Sequence, residues 1–105
     1  MMASPQIEHG YTRIAHELLE AVSKKVVDPN HLRIMLFIMR LTYGFHKKVT
    51  ITYYKSLATQ LNFTEDEIKM LLTQMEFLGL ILYTYDKDSK QCVVGIEKDH
   101  DQWTV

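Results

Sequence analysis

Lysine, rather than any nucleophile or metal ligand, is the residue type placed to do chemistry in this chain. Lys47-Lys48 precede a β-branched run, Lys55 and Lys69 lie in successive apolar-striped segments, and Lys87 and Lys90 sit in a polar turn. Ammonium groups grouped this way hold phosphate. Residues 31 to 63 carry Arg33, Arg40, Lys47, Lys48 and Lys55 and no acid, a block of +5. Residues 64 to 76 reverse the sign, with Glu65, Asp66, Glu67 and Glu76 against Lys69. The net charge is −1, without the basic surplus usual in DNA-binding domains, so any phosphate contact rests on local asymmetry. Catalysis has little to draw on. His9, His16, His31, His46 and His100 form no HExxH and no zinc-like spacing with Cys92. There is no glycine-rich phosphate loop and no nucleophile motif. A binding protein with no catalytic residue, metal or cofactor is expected.

The elements that must position these lysines follow from periodicity. Tyr54, Leu57, Ala58 and Leu61 have the spacing of a short helix. Asn62-Phe63 interrupts it, and Thr64-Glu65-Asp66-Glu67 restarts it as a capping box. Ile68, Leu71, Leu72, Met75 and Leu78 stripe the second helix, and Gly79 stops it. The period then falls to two: Leu80–Tyr85 and Gln91–Ile96 read as strands around the turn Asp86-Lys87-Asp88-Ser89-Lys90. This is a helix-turn-helix followed by a wing. Upstream, a helix from after Thr12 to about Lys25 turns Ile14, Leu18, Leu19 and Val22 inward. Asp28-Pro29 starts a helix running to Tyr43 and ending at Gly44, apolar nearly all round, with Arg33 and Arg40 on one face. Val49–Thr52 is a short strand. The fold class is therefore α+β, mainly α: a winged helix-turn-helix of four helices with a C-terminal β-hairpin wing and a short first strand. Residues 1–11 read as an arm, 12–97 as the domain and 98–105 as a tail pinned by Trp103.

Within the second helix of the motif, the face opposite the stripe carries Asp66, Met70, Thr73 and Phe77, flanked by Lys69 and Gln74. Lys69, Thr73 and Gln74 suit base edges, and Asp66 can accept from a cytosine amino group. The three first-turn acids also complement the helix dipole with no partner at all. About 6 Å from a phosphate, one such charge costs on the order of 3 kcal/mol at an effective dielectric near 20, which opposes deep insertion. Met70 and Phe77 either pack on the first helix or the arm, or form a protein-binding patch with Asp66. Lys47-Lys48 is a phosphate contact or a solvated loop. Lys87 and Lys90 are a backbone contact, or a plain turn balanced by Asp86 and Asp88. Arg13 is a DNA contact or the partner of Glu17 four residues on.

The 105 residues suffice for one core without crosslinks. Cys92 has no cysteine partner, fits a reducing compartment, and reads as a small buried residue. No apolar run approaches the roughly 18 residues of a membrane span.

Three segments carry a family resemblance: Pro5–Ala21 with Gly10-Tyr11-Thr12-Arg13-Ile14-Ala15, Leu41–Lys48 with Thr42-Tyr43-Gly44-Phe45, and Lys98–Trp103. Together they resemble the N-terminal domain of lambda-type bacteriophage replication protein O, in order and over nearly the whole chain. The resemblance implies a winged-helix domain that binds repeated origin sequences as a dimer in the bacterial host cytoplasm. It also implies a following segment that recruits the replicative helicase or its loader, which these 105 residues do not include. The chain departs from the family at Thr50-Ile51, where an acidic-basic pair is usual. A second departure is Glu65-Asp66-Glu67, where Ser, Thr, Arg or Lys commonly opens the recognition helix.

The combined expectation is a homodimeric binder of double-stranded origin or operator DNA. Arg13, Lys47, Lys48, Lys55, Lys69, Thr73, Gln74, Lys87 and Lys90 would make the DNA contacts. A protein-interaction module that uses Asp66, Met70 and Phe77 against a replication or host protein is the other class. A stand-alone transcriptional regulator is the third.

Overall fold

The computed structural model describes residues 3–105, so residues 1 and 2 of the expected arm lie outside it. Four helices, α1 (His16–Lys25), α2 (Pro29–Thr42), α3 (Tyr54–Leu61) and α4 (Glu65–Phe77), pack on one face of a sheet. Its strands are β1 (Val49–Tyr53), β2 (Ile81–Tyr85) and β3 (Gln91–Ile96). The order is β1-β3-β2, antiparallel throughout, and the β2–β3 hairpin is the wing. The chain adopts the winged-helix arrangement its periodicities predict.

Register gives the sheet two ends. Tyr53 pairs with Gln91 and Tyr85 with Cys92 next to the wing turn, while Val49 pairs with Gly95 and Ile81 with Ile96 at the base. One pleat follows. Thr52, Cys92, Val94, Ile81 and Ile96 face the helices, and Val49, Ile51, Tyr53 and Leu82 stay exposed on the outer face. The core is built on α2, where Ile34, Met35, Ile38 and Met39 are buried against Leu57, Ile68, Leu72 and Met75 of the helix-turn-helix. Cys92 is buried as expected, and burial pushes its thiol up to about 11.

Local signals set most element ends. The Asp28 carboxylate accepts from the amides of Asn30 and His31, with Pro29 in the first turn. In the capping box, Thr64 Oγ1 accepts from Glu67 N at 3.1 Å and Glu67 Oε1 accepts from Thr64 N at 2.9 Å. Asn62, at φ 61°, ends α3, and Gly79, at φ 77°, follows α4. A Cβ on Gly79 would lie 2.6 Å from the Gln102 carbonyl oxygen, so the tail can cross here only over glycine. Trp103 is buried and donates from Nε1 to the Glu97 carbonyl at 2.9 Å, holding the tail down.

Three upstream details differ from the sequence reading. α1 starts at His16 rather than after Thr12, and Ala15 precedes it without a side-chain cap. The Thr12 hydroxyl lies against Gly44 instead. Leu19 is exposed and Ala21 takes its place in the core, because Leu18, Ala21 and Val22 make the narrower inward stripe. α2, apolar nearly all round as read, leaves Leu36 exposed. Gly44 does not end it; the helix passes into a short turn, Tyr43–Phe45, and His46 takes the left-handed position at φ 59°.

Candidate nucleic-acid interface

α4 and the wing form the walls of a cleft because Tyr54, buried at the start of α3, reaches across to β2. Its hydroxyl hydrogen-bonds that of Tyr83. Burial raises both phenols above their ordinary range, so they stay neutral donors and acceptors. Tyr83 stacks on Tyr85 at 6.1 Å, and Lys69 Nζ lies 5.3 Å from the centre of the Tyr54 ring. Lys69 and Thr73 from α4 and Asp86, Lys87 and Lys90 from the wing line this cleft. A second cleft runs on from Lys90 and Ser89 to Lys55, Ser56, Thr59 and Gln60 of α3, with Glu65 at its edge. Lys55, Lys69, Lys87 and Lys90, spread over 36 residues of sequence, thus border one continuous surface.

The wing acids are not equivalent to the wing lysines. Asp86 accepts from Asp88 N and Ser89 Oγ, each at 3.0 Å, and the first of these bonds holds its carboxyl below the usual range. Lys90, at φ 59°, completes that turn. No Lys or Arg ion pair occurs among the described residues, so the wing lysines are not tied to Asp86 or Asp88.

Elsewhere on α4, Thr73 Oγ1 donates to the Lys69 carbonyl and leaves its lone pairs outward. Gln74 is turned away from the cleft, 3.4 Å from the His31 ring. Asp66 is exposed at the mouth of the helix, while Glu67 is held in the capping box. Met70 is 52% exposed and Phe77 87%, so neither is buried against α1 or the arm. An apolar hollow formed with His31, Thr73 and Leu78 lies beside Phe77.

The rest of the basic block does not join this surface. Arg33 donates to the Leu61 carbonyl and covers the Phe63 ring at 4.5 Å, acting as a cap for α3. Arg40 covers Phe45 at 5.0 Å. Lys47 and Lys48 precede Val49, at the end of the sheet remote from the wing turn. Arg13 is there too, 5.8 Å from the Tyr11 ring centre; its expected partner Glu17 bonds His100 Nε2 at 2.9 Å instead. Sequence reasoning missed the tyrosines of the cleft, although the period-two pair Tyr83 and Tyr85 was a signal that one strand face carries phenols.

Residues 3–103 match the family model described as bacteriophage replication protein O. The chain belongs to that family. A DNA replication protein, gp18 of Salmonella phage P22, is 41% identical over 44 residues, which are 42% of this chain. The matched stretch spans 16% of that relative's own length. No solved structure matches. Membership of the replication protein O family gives the chain a role in bacteriophage DNA replication. Among the described residues, no helix is long and apolar enough to cross a membrane, and no group of His, Cys, Asp or Glu could hold a metal ion.

Proposed function

We propose that this domain binds origin-like double-stranded DNA without catalysis, through the α4–wing surface. The observation that carries the reading is the convergence of Lys55, Lys69, Lys87 and Lys90 on one pair of clefts in a chain of net charge −1. Lys87, Lys90 and Lys55 would hold phosphates, and Lys69 and Thr73 would face base edges. Glu65 and Asp66 keep the mouth of α4 from sinking deeply, so the wing takes a larger share of the affinity than the helix does. Two copies would read repeated half-sites. The uncharged outer sheet face around Ile51 and Leu82 suits self-association, since packing it on itself desolvates no charge. A fluorescence-anisotropy titration with origin-repeat duplex tests this. Binding should weaken steeply with salt and fall on Lys69→Ala; flat, salt-independent anisotropy would exclude the reading.

A second reading has its own observation. Phe77 is almost wholly exposed beside an apolar hollow, which fits a protein partner from the phage replication machinery or the host. Under that reading Phe77→Ala abolishes a co-purifying contact while duplex binding is nil in the parent protein. A transcriptional regulator would differ only in preferring operator over origin duplex.

A further inference from the structure

At the base of the sheet the cations are arranged differently. Three segments far apart in sequence meet there, each bringing a cation onto an aromatic ring. Arg13 lies 5.8 Å from the Tyr11 ring centre, Arg40 lies 5.0 Å from Phe45, and Lys98 lies 5.4 Å from Tyr43. The pairs are contiguous: one cleft is lined by Arg13, Tyr43 and Lys98, and a neighbouring one by Tyr11, Thr12, Arg40 and Phe45. Gly44 permits this closeness, since a Cβ there would sit 3.0 Å from Arg40 Nη1 and 3.1 Å from Thr12 Oγ1. Glu17, bonded to His100, also lines the first cleft, and Glu97, Asp99 and Asp101 lie on the adjoining tail. No acid lines the second cleft, which is therefore the more positive of the two. Lys47 and Lys48 extend the positive charge toward the sheet.

Two further features point to a ligand. Tyr11 is 58% exposed and Phe45 56%, although a core or an interface normally covers such rings. The Tyr43 hydroxyl is the buried side-chain polar atom left without a hydrogen-bond partner among the described residues, beside the cleft that Arg13 and Lys98 line.

We propose that this base surface is a second nucleic-acid site, distinct from the α4–wing face, that takes a single strand. Arg13, Arg40 and Lys98 hold its phosphates, and its bases stack on Tyr11 and Phe45. In a duplex the base faces are stacked on one another, so exposed rings beside cations gain nothing from it. A single strand offers both phosphates and open π-faces. The guanidinium groups already lie within cation–π range of the rings, so each pair brings a charge and an aromatic face together before any strand arrives.

Both surfaces can be tested on the intact chain with a thymidine oligomer of about 20 nucleotides, the matching uridine oligomer and a duplex. Tyr11→Ala with Phe45→Ala removes two exposed rings, and circular dichroism should show the fold unchanged. This pair is expected to lose about tenfold or more in thymidine-oligomer affinity, while Lys87→Ala with Lys90→Ala leaves that affinity within about twofold. Arg13→Ala with Lys98→Ala should flatten its salt dependence. Uridine binding that falls in parallel extends the site to RNA and supports it equally. No binding of either oligomer by the parent chain overturns the proposal. So does single-strand binding that is insensitive to Tyr11 and Phe45 but lost with the wing lysines. Duplex binding is read separately, so failure of one site is not failure of the other.

Discussion

The two ends of the sheet use positive charge in opposite ways. At the wing end, Lys87 and Lys90 project from a turn whose own acid, Asp86, is held in place by backbone and serine bonds. Their charge borders open clefts shared with α3 and α4. At the base end, Arg13, Arg40 and Lys98 each lie over an aromatic ring, and the tail crosses α1 to bring Lys98 and His100 into place. A flexible ammonium on a turn suits sliding phosphate contacts, whereas a stacked guanidinium is a fixed plate. Counting cations along the sequence treats the two ends alike; their surroundings make one end deformable and the other preorganised.

The largest expected effect is at the base. Trp103→Ala should lower unfolding free energy by about 3–5 kcal/mol in urea, since it empties a buried indole site and frees the Glu97 carbonyl. If the ends are independent, duplex binding under native conditions should survive this change. Next comes alkaline stability. The Cys92 thiol is raised from 9.0 to about 11 in the folded protein, so the folded state holds its proton where the unfolded chain has released it. The stabilisation is complete below about pH 9 and is lost as pH rises to about 11, a fall of roughly 2–3 kcal/mol. Cys92→Ala should remove the part of the slope that begins near pH 9 in urea melts at stepped pH. It should leave the loss above about pH 10 that comes from the raised Tyr43, Tyr54 and Tyr83 phenols.

The wing itself comes third. Lys87→Ala with Lys90→Ala should weaken duplex binding about tenfold and lower the salt slope by about 2. Lys47→Ala with Lys48→Ala, at the far end, should change it less than about twofold. Equal losses from the two pairs would erase the distinction between the ends. The smallest effect is Thr64→Ala, which breaks the capping box at the mouth of α4. It should cost about 1 kcal/mol of stability and leave single-strand binding at the base untouched.

Much of the α4 side was legible in sequence because its signals are local. Thr64 and Glu67 cap within one turn, Gly79 follows the helix, and the change of period at Leu80 announces the wing. Upstream the signals were weaker. The helix expected after Thr12 starts only at His16, with Thr12 set against Gly44, 32 residues away, and Leu19 looked periodic while Ala21 fits the closer packing. Charge was the least legible property. Arg33 and Arg40 read as part of one basic block, yet one caps α3 and the other covers Phe45.

The order of residues alone determined where α2, α4 and the wing strands begin, which face of α4 is apolar, and that lysines sit in the wing turn. Capping, hydrophobic period and turn chemistry all act within a few residues. Only the folded chain decided which cations stand together and which are spent on a carbonyl or a ring. That choice depends on antiparallel register and on the tail's return across α1, and both join residues too distant in sequence for any local pattern to record.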